Sequence, residues 1–125
     1  MVRPQPRYLE KEVLSADPAT HVVLLYNRAI ALLKQILATE SEEDEVKRVK
    51  IRAEAFSKVV DILSYLKACL NFEKGGEIAN NLNEIYEVLI EELIRASIRW
   101  DEKPVRDSIE ILEKLRDAFY AIGRA

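Results

Sequence analysis

Leu70-Asn71-Phe72-Glu73-Lys74-Gly75-Gly76-Glu77-Ile78-Ala79-Asn80-Asn81-Leu82 holds a helix end, a glycine pair and a helix start in one short stretch. Glycine enters left-handed backbone conformations at little steric cost and is enriched just past helix C-termini. Lys74 suits the carbonyl end of an outgoing helix, and Glu77 the amide end of an incoming one. The stretch therefore predicts a tight two-glycine turn between antiparallel helices.

Working outward, Asp17 and Pro18 open a first helix as N-cap and first helical residue. Val22, Leu25, Tyr26, Ala29, Ile30, Leu33, Ile36 and Leu37 then recur at helical spacing, and Thr39-Glu40-Ser41 ends the pattern. Ser41, followed three residues later by Asp44, resembles a helix-start cap. The second helix is expected from about Glu42 to Glu73. Its inner stripe is read as Val46, Val49, Ala53, Phe56, Val60, Leu63 and Leu70, widened by Val59, Ile62 and Leu66.

The third helix follows Gly76 on Ile78, Leu82, Ile85, Tyr86, Leu89, Leu93 and Ala96. The fourth opens at Pro104 on Val105, Ile109, Leu112, Leu115 and Phe119, and Gly123 stops it. The expected fold is all-α: an antiparallel four-helix bundle over residues 17–123, preceded by a short N-terminal helical arm at 1–16. No strand pattern or solenoid-length repeat competes with it.

Composition bounds the function. The 125 residues make one domain, and a 49% apolar, 33% charged balance suits a folded chain with a real core. A net charge of −3 leaves no footprint for nucleic acid. Lys47, Arg48, Lys50 and Arg52 follow the acidic run Glu40 to Glu45, so they read as a salt-bridged surface. Cys69 is the single cysteine, which excludes an internal disulfide, and its apolar neighbours suggest a small buried hydrophobe. No signal peptide is visible at the N-terminus, and the longest uninterrupted apolar runs are too short to span a bilayer. A cytoplasmic location is expected, with no membrane partner.

Catalytic and cofactor signatures are missing from the pattern. His21 is the only histidine, and Pro18 stands three residues before it, so the Glu-x-x-His pairs of di-iron bundles cannot be built. The serines have no base partner beyond that histidine, and the glycine pair lacks the strand and Lys-Ser/Thr context of a phosphate loop. The chain reads as a non-enzyme with no metal and no cofactor.

Its apolar surface exceeds what a bundle needs. Ile90, Ile94 and Ile98 form a row beside the Leu82–Leu89–Leu93 stripe. Val23 and Leu24 fall outside the first helix's face, while Ile62 and Tyr65 sit toward the edge of the second. Two readings stay open: cover by the leading arm and by wide helix contacts, or a groove for an amphipathic helix from another chain.

Five segments in order resemble the FliS family of flagellar secretion chaperones. They are the arm Tyr8 to Ala19, Leu25-Tyr26-Asn27-Arg28-Ala29-Ile30, Arg52-Ala53-Glu54, the Leu70 to Leu82 stretch with Ile85-Tyr86 after it, and Leu115-Arg116-Asp117-Ala118-Phe119. The Leu70 stretch is similar to that family's Leu-x-x-x-x-Gly-Gly-Glu-Ile-Ala-x-Asn-Leu signature. Asn27-Arg28 stand where the family usually has Asp-Gly, Asn71 replaces a common aspartate, and Phe119 replaces a frequent tryptophan.

The resemblance implies a cytoplasmic export chaperone. Its client would be the disordered C-terminal segment of flagellin, held back from early polymerisation and delivered to the flagellar type III export gate, with other flagellar assembly factors as further partners. The groove residues expected on this basis are Tyr8, Val23, Tyr26, Ile30, Ile62, Tyr65, Ile90, Ile94 and Ile98, with Tyr8 as a movable cap. Two alternatives remain at this level: a chaperone or adaptor for another secreted client, and a self-associating structural bundle. An arm before Pro18 also leaves domain swapping or weak homo-oligomerisation open.

Overall fold

The computed structural model describes residues 18–123. Four α-helices and no strand occur among them: α1 (Pro18–Ala38), α2 (Glu45–Ala68), α3 (Phe72–Ile98) and α4 (Glu102–Gly123), with a 3₁₀ turn at Thr39–Ser41 after α1. Short connections force consecutive helices to run antiparallel. Each helix packs on its two neighbours in the ring, α1 on α2 and α4, and α3 on α2 and, less extensively, on α4. Lys34 of α1 pairs with Glu113 of α4 at 3.7 Å, and Arg116 of α4 donates to Asn27 of α1 at 3.2 Å. Asn27, at the departure from the family's Asp-Gly, thus helps fasten the first helix to the last.

Ala19–Ser41 is long and apolar enough, by length and composition alone, to cross a bilayer, contrary to the sequence expectation. Here its apolar side faces the core: Leu25, Tyr26, Ala29, Ile30, Leu32, Leu33 and Ile36 are all buried. The outer face of α4 is laced by the one-turn pairs Lys103–Asp107, Arg106–Glu102 and Lys114–Glu110. Each is worth only a few tenths of a kcal/mol or so at the surface. They mark a solvated side.

Helix starts differ from the sequence reading in informative ways. Asp44, not Ser41, caps α2, accepting from the Lys47 amide at 3.2 Å. Ser41 instead donates to the Ala38 carbonyl inside the 3₁₀ turn. At α4, Asp101 accepts from the Lys103 amide at 3.1 Å, so the helix begins at Glu102 and Pro104 lies in its first turn, where no amide is needed.

The α2–α3 connection is displaced in the same way. It is Cys69–Asn71 rather than the glycine pair. Asn71 caps α3, its side chain accepting from the Lys74 amide at 3.0 Å and its carbonyl from the Gly75 amide at 2.8 Å. Gly76 then breaks α3 one turn in, at φ 51° and ψ −124°. Open space surrounds the position a Gly76 Cβ would take, so replacement is opposed by backbone strain alone. Gly76→Ala is expected to cost about 1–3 kcal/mol. Urea denaturation checks this, and an unchanged midpoint would show that the kink straightens freely.

Cys69, expected to be buried, is exposed as the C-cap of α2. The buried stripe of α2 also differs from the expected one. Ala55, Phe56, Val59, Ile62, Leu63 and Leu66 are buried, whereas Val46 is 78% and Val49 57% exposed, and Ala53 is exposed too. Leu25, Leu33, Ile36, Leu63, Leu93 and Leu112 form the best-shielded part of the core.

Candidate apolar docking groove between the second and third helices

The row of α2 that leaves the core has somewhere specific to face. Ala53, Phe56, Ser57, Val60 and Asp61 of α2 meet Ile94 and Ser97 of α3 around an open cavity of about 350 Å³. Ile94 is 41% exposed, and Ile98, one turn further along the same row, is 82% exposed. Because the helices are antiparallel, Val46 and Val49 lie beyond Ala53 toward the Ile98 end. Ala53 on one bank and Ile94 on the other are the exposed apolar side chains that line the cavity, and Val46, Val49 and Ile98 continue the two rows beyond it.

Both ends of the helix pair are tied. Near the C-terminus of α2, Lys67 pairs with Glu87 of α3 at 2.9 Å, and this bond is the main cause that holds the Glu87 carboxyl below its usual pKa. At the other end the Arg52 guanidinium lies 3.6 Å from the Trp100 ring centroid. Arg52 also donates to the Thr39 hydroxyl at 2.7 Å and pairs with Glu40 at 3.4 Å. Burial against these groups lowers the Arg52 pKa from its ordinary value, with Glu40 opposing the shift. Trp100 meets Phe56 edge-on, with ring centroids 6.5 Å apart. Trp100 is therefore a half-buried lid on the core's edge.

The residues expected to line a groove separate into three groups. Tyr26, Ile30 and Ile62 are core residues, at 0%, 4% and 1% exposure, and present no surface in this conformation. The Tyr26 hydroxyl is buried in a hydrogen bond with the Tyr86 hydroxyl. Burial is the leading cause that raises the pKa of both phenols, so they stay neutral. The Tyr26 ring also packs edge-on against Phe119 at 5.7 Å, the aromatic that replaces the family's frequent tryptophan.

Val23 and Tyr65 are half-buried and do not line the α2–α3 cavity. The Tyr65 phenol is pushed up to about 12, by burial first and then by its hydrogen bond with Cys69. Ile90, Ile94 and Ile98 share one flank of α3: Ile90 packs half-buried against the core, Ile94 lines the cavity and Ile98 stands in solvent. Tyr8 lies outside the described residues.

Ala53 and Val60, read from the sequence as core, line the candidate site, and Val46 and Val49, read the same way, extend its row beyond the cavity. A second apolar cavity, of about 360 Å³, opens where the glycine kink meets the ends of α1, α2 and α4, and Val22, Leu66, Leu70, Ile78 and Phe119 are among its walls. Among the described residues, no group of three His, Cys, Asp or Glu side chains is placed to hold a metal ion.

Residues 1–125 match the family model described as "Flagellar protein FliS". The chain belongs to the FliS family. It is 34% identical over 117 residues to the flagellar secretion chaperone FliS of Salmonella typhimurium, covering 92% of this chain and 83% of that one. Similarity to the chaperone of the same name in Vibrio cholerae is 28% over 111 residues, covering 89% and 79%. The flagellar secretion chaperone FliSB of Pseudomonas aeruginosa is 28% identical over 116 residues, covering 92% and 88%. In this FliS chain, the Arg52-Ala53 motif has a structural meaning: Arg52 turns inward to Trp100 and Ala53 lines the groove.

Proposed function

We propose that this protein is a cytoplasmic flagellar export chaperone that binds the disordered C-terminal segment of flagellin as an amphipathic helix in the α2–α3 groove. The observation that carries the reading is the meeting of exposed Ala53 and half-buried Val60 with exposed Ile94 across one open cavity, with exposed Val46, Val49 and Ile98 extending the same rows beyond it. Large apolar side chains left in solvent on facing helices suit an apolar partner stripe. Membership of the FliS family and its relatives' names as flagellar secretion chaperones support the choice of client.

The physics of such a client fits the site. A flagellin terminus has no partner helices before assembly, and a chaperone groove substitutes for them. Ordering the segment on binding offsets part of the burial free energy, which keeps the complex reversible. Sequestering that segment blocks premature polymerisation, and transfer at the type III export gate releases it. None of these steps needs bond chemistry, in keeping with a non-enzymatic role.

Calorimetric titration with the C-terminal segment of the flagellin from the same organism tests the reading. One-to-one saturation with a negative heat-capacity change is expected. Absence of binding by a folded, helical sample would redirect the groove to another secreted client or to self-association.

A further inference from the structure

Arg52 of α2 turns toward the core edge, and its contacts run in a line. Its Nε donates to Thr39 Oγ1 at 2.7 Å, and Thr39 Oγ1 in turn donates to the Ile36 carbonyl at the end of α1. The flat face of the guanidinium covers Trp100, in the α3–α4 connection, at 3.6 Å. Trp100 meets the buried Phe56 edge-on, and Phe56 is part of the cavity wall beside Ala53, Val60 and Ile94.

We propose that Arg52 is a positioning residue for the client groove, setting the cavity wall through Trp100 and Phe56; the functional part of this rests on the chaperone reading above. A planar cation can satisfy a hydroxyl at its edge and an aromatic ring at its face at once, and a lysine ammonium cannot hold both in one geometry. Releasing the guanidinium frees Trp100. It thereby loosens one of the contacts on the buried Phe56 ring, which lines the groove beside Val60 and Ile94. Arg52 touches no cavity surface itself, so its effect on binding is transmitted rather than direct.

The test compares Arg52→Lys with Leu112→Val. The second variant trims a fully buried residue of α4 that is not part of the cavity wall, so it serves as a stability control. Methyl NMR of the free proteins reads the groove without any client. In Arg52→Lys the Ile94 and Val60 methyl resonances should move as the Phe56 ring reorients, and in Leu112→Val they should stay. Trp100, the only tryptophan, should change its emission in Arg52→Lys alone.

Titration with the C-terminal flagellin segment should then show about tenfold weaker binding for Arg52→Lys and unchanged binding for the control. Unmoved methyls in Arg52→Lys, wild-type affinity in that variant, or equal weakening by Leu112→Val would each overturn the proposal. Failure of the wild-type protein to bind the segment would instead remove the chaperone reading, and the methyl comparison would still decide whether Arg52 positions the groove.

Discussion

Replacing Val60 and Ile94 together by aspartate is expected to weaken binding of the flagellin segment by about 100-fold or more while the bundle stays folded. The two side chains stand on opposite banks of one cavity, Val60 half-buried and Ile94 41% exposed. Burying an aliphatic side chain of this size contributes about 1.5–3 kcal/mol, so losing two such contacts removes roughly 3 kcal/mol or more. That alone corresponds to about two decades in affinity. Aspartate adds the cost of desolvating a charge against an apolar helix, with Asp61 already in the wall to repel it. Circular dichroism verifies the fold and calorimetry the affinity. Full-strength binding by the double variant would remove the cavity from the account.

The second large effect separates the buried from the exposed apolar residues in the rows of α2. Leu63→Ala is expected to destabilise the protein by about 2–5 kcal/mol, because removing a fully buried leucine leaves a cavity in the core. Val46→Ala and Val49→Ala are expected to stay within about 0.5 kcal/mol, since their side chains are already largely in water. Urea denaturation measures both, through midpoints at unchanged slope. A loss of several kcal/mol from Val46→Ala would return the start of α2 to the core and remove the exposed extension of the groove.

Those rows also show how far the sequence could be read. Helix number, order and the short connections follow from apolar spacing, and each helix lies near its expected place. Which side of α2 faces inward did not follow. Residues 46, 49, 53, 56, 60 and 63 and residues 52, 55, 59, 62 and 66 both keep helical spacing. The first set is unbroken and apolar, whereas the second begins with an arginine. Both sets supply core, Phe56 and Leu63 from the first and Ala55, Val59, Ile62 and Leu66 from the second. The first turns to solvent at Val46, Val49 and Ala53, next to the place where Arg52 stacks on Trp100, a contact between distant parts of the chain. Spacing along one helix carries no information about such a contact.

The glycine stretch has a local explanation. Asn71 is a strong N-cap residue, and it starts α3 ahead of the glycines, so the left-handed position at Gly76 becomes a kink instead of the turn. Cys69 is exposed because the connection begins there, well ahead of the place the glycine pair suggested. On the candidate site, Ile94 and Ile98 were legible as a surplus row because they lie off the Leu82–Leu89–Leu93 stripe. Their partners on α2 were hidden by the assignment of that row to the core. The depth of the Tyr26 hydroxyl was illegible for a different reason: a phenol at helical core spacing gives no sign that a second phenol, Tyr86, waits to satisfy it.

The most direct test of the central claim is methyl NMR of the folded protein titrated with the C-terminal flagellin segment. The account predicts that the methyls of Val46, Val49, Val60, Ile94 and Ile98 shift together and saturate at one equivalent. Ile111 and Ile122 on α4, exposed but away from the groove, should stay in place. Shifts confined to Ile111 and Ile122, with the α2–α3 methyls unmoved, would contradict it.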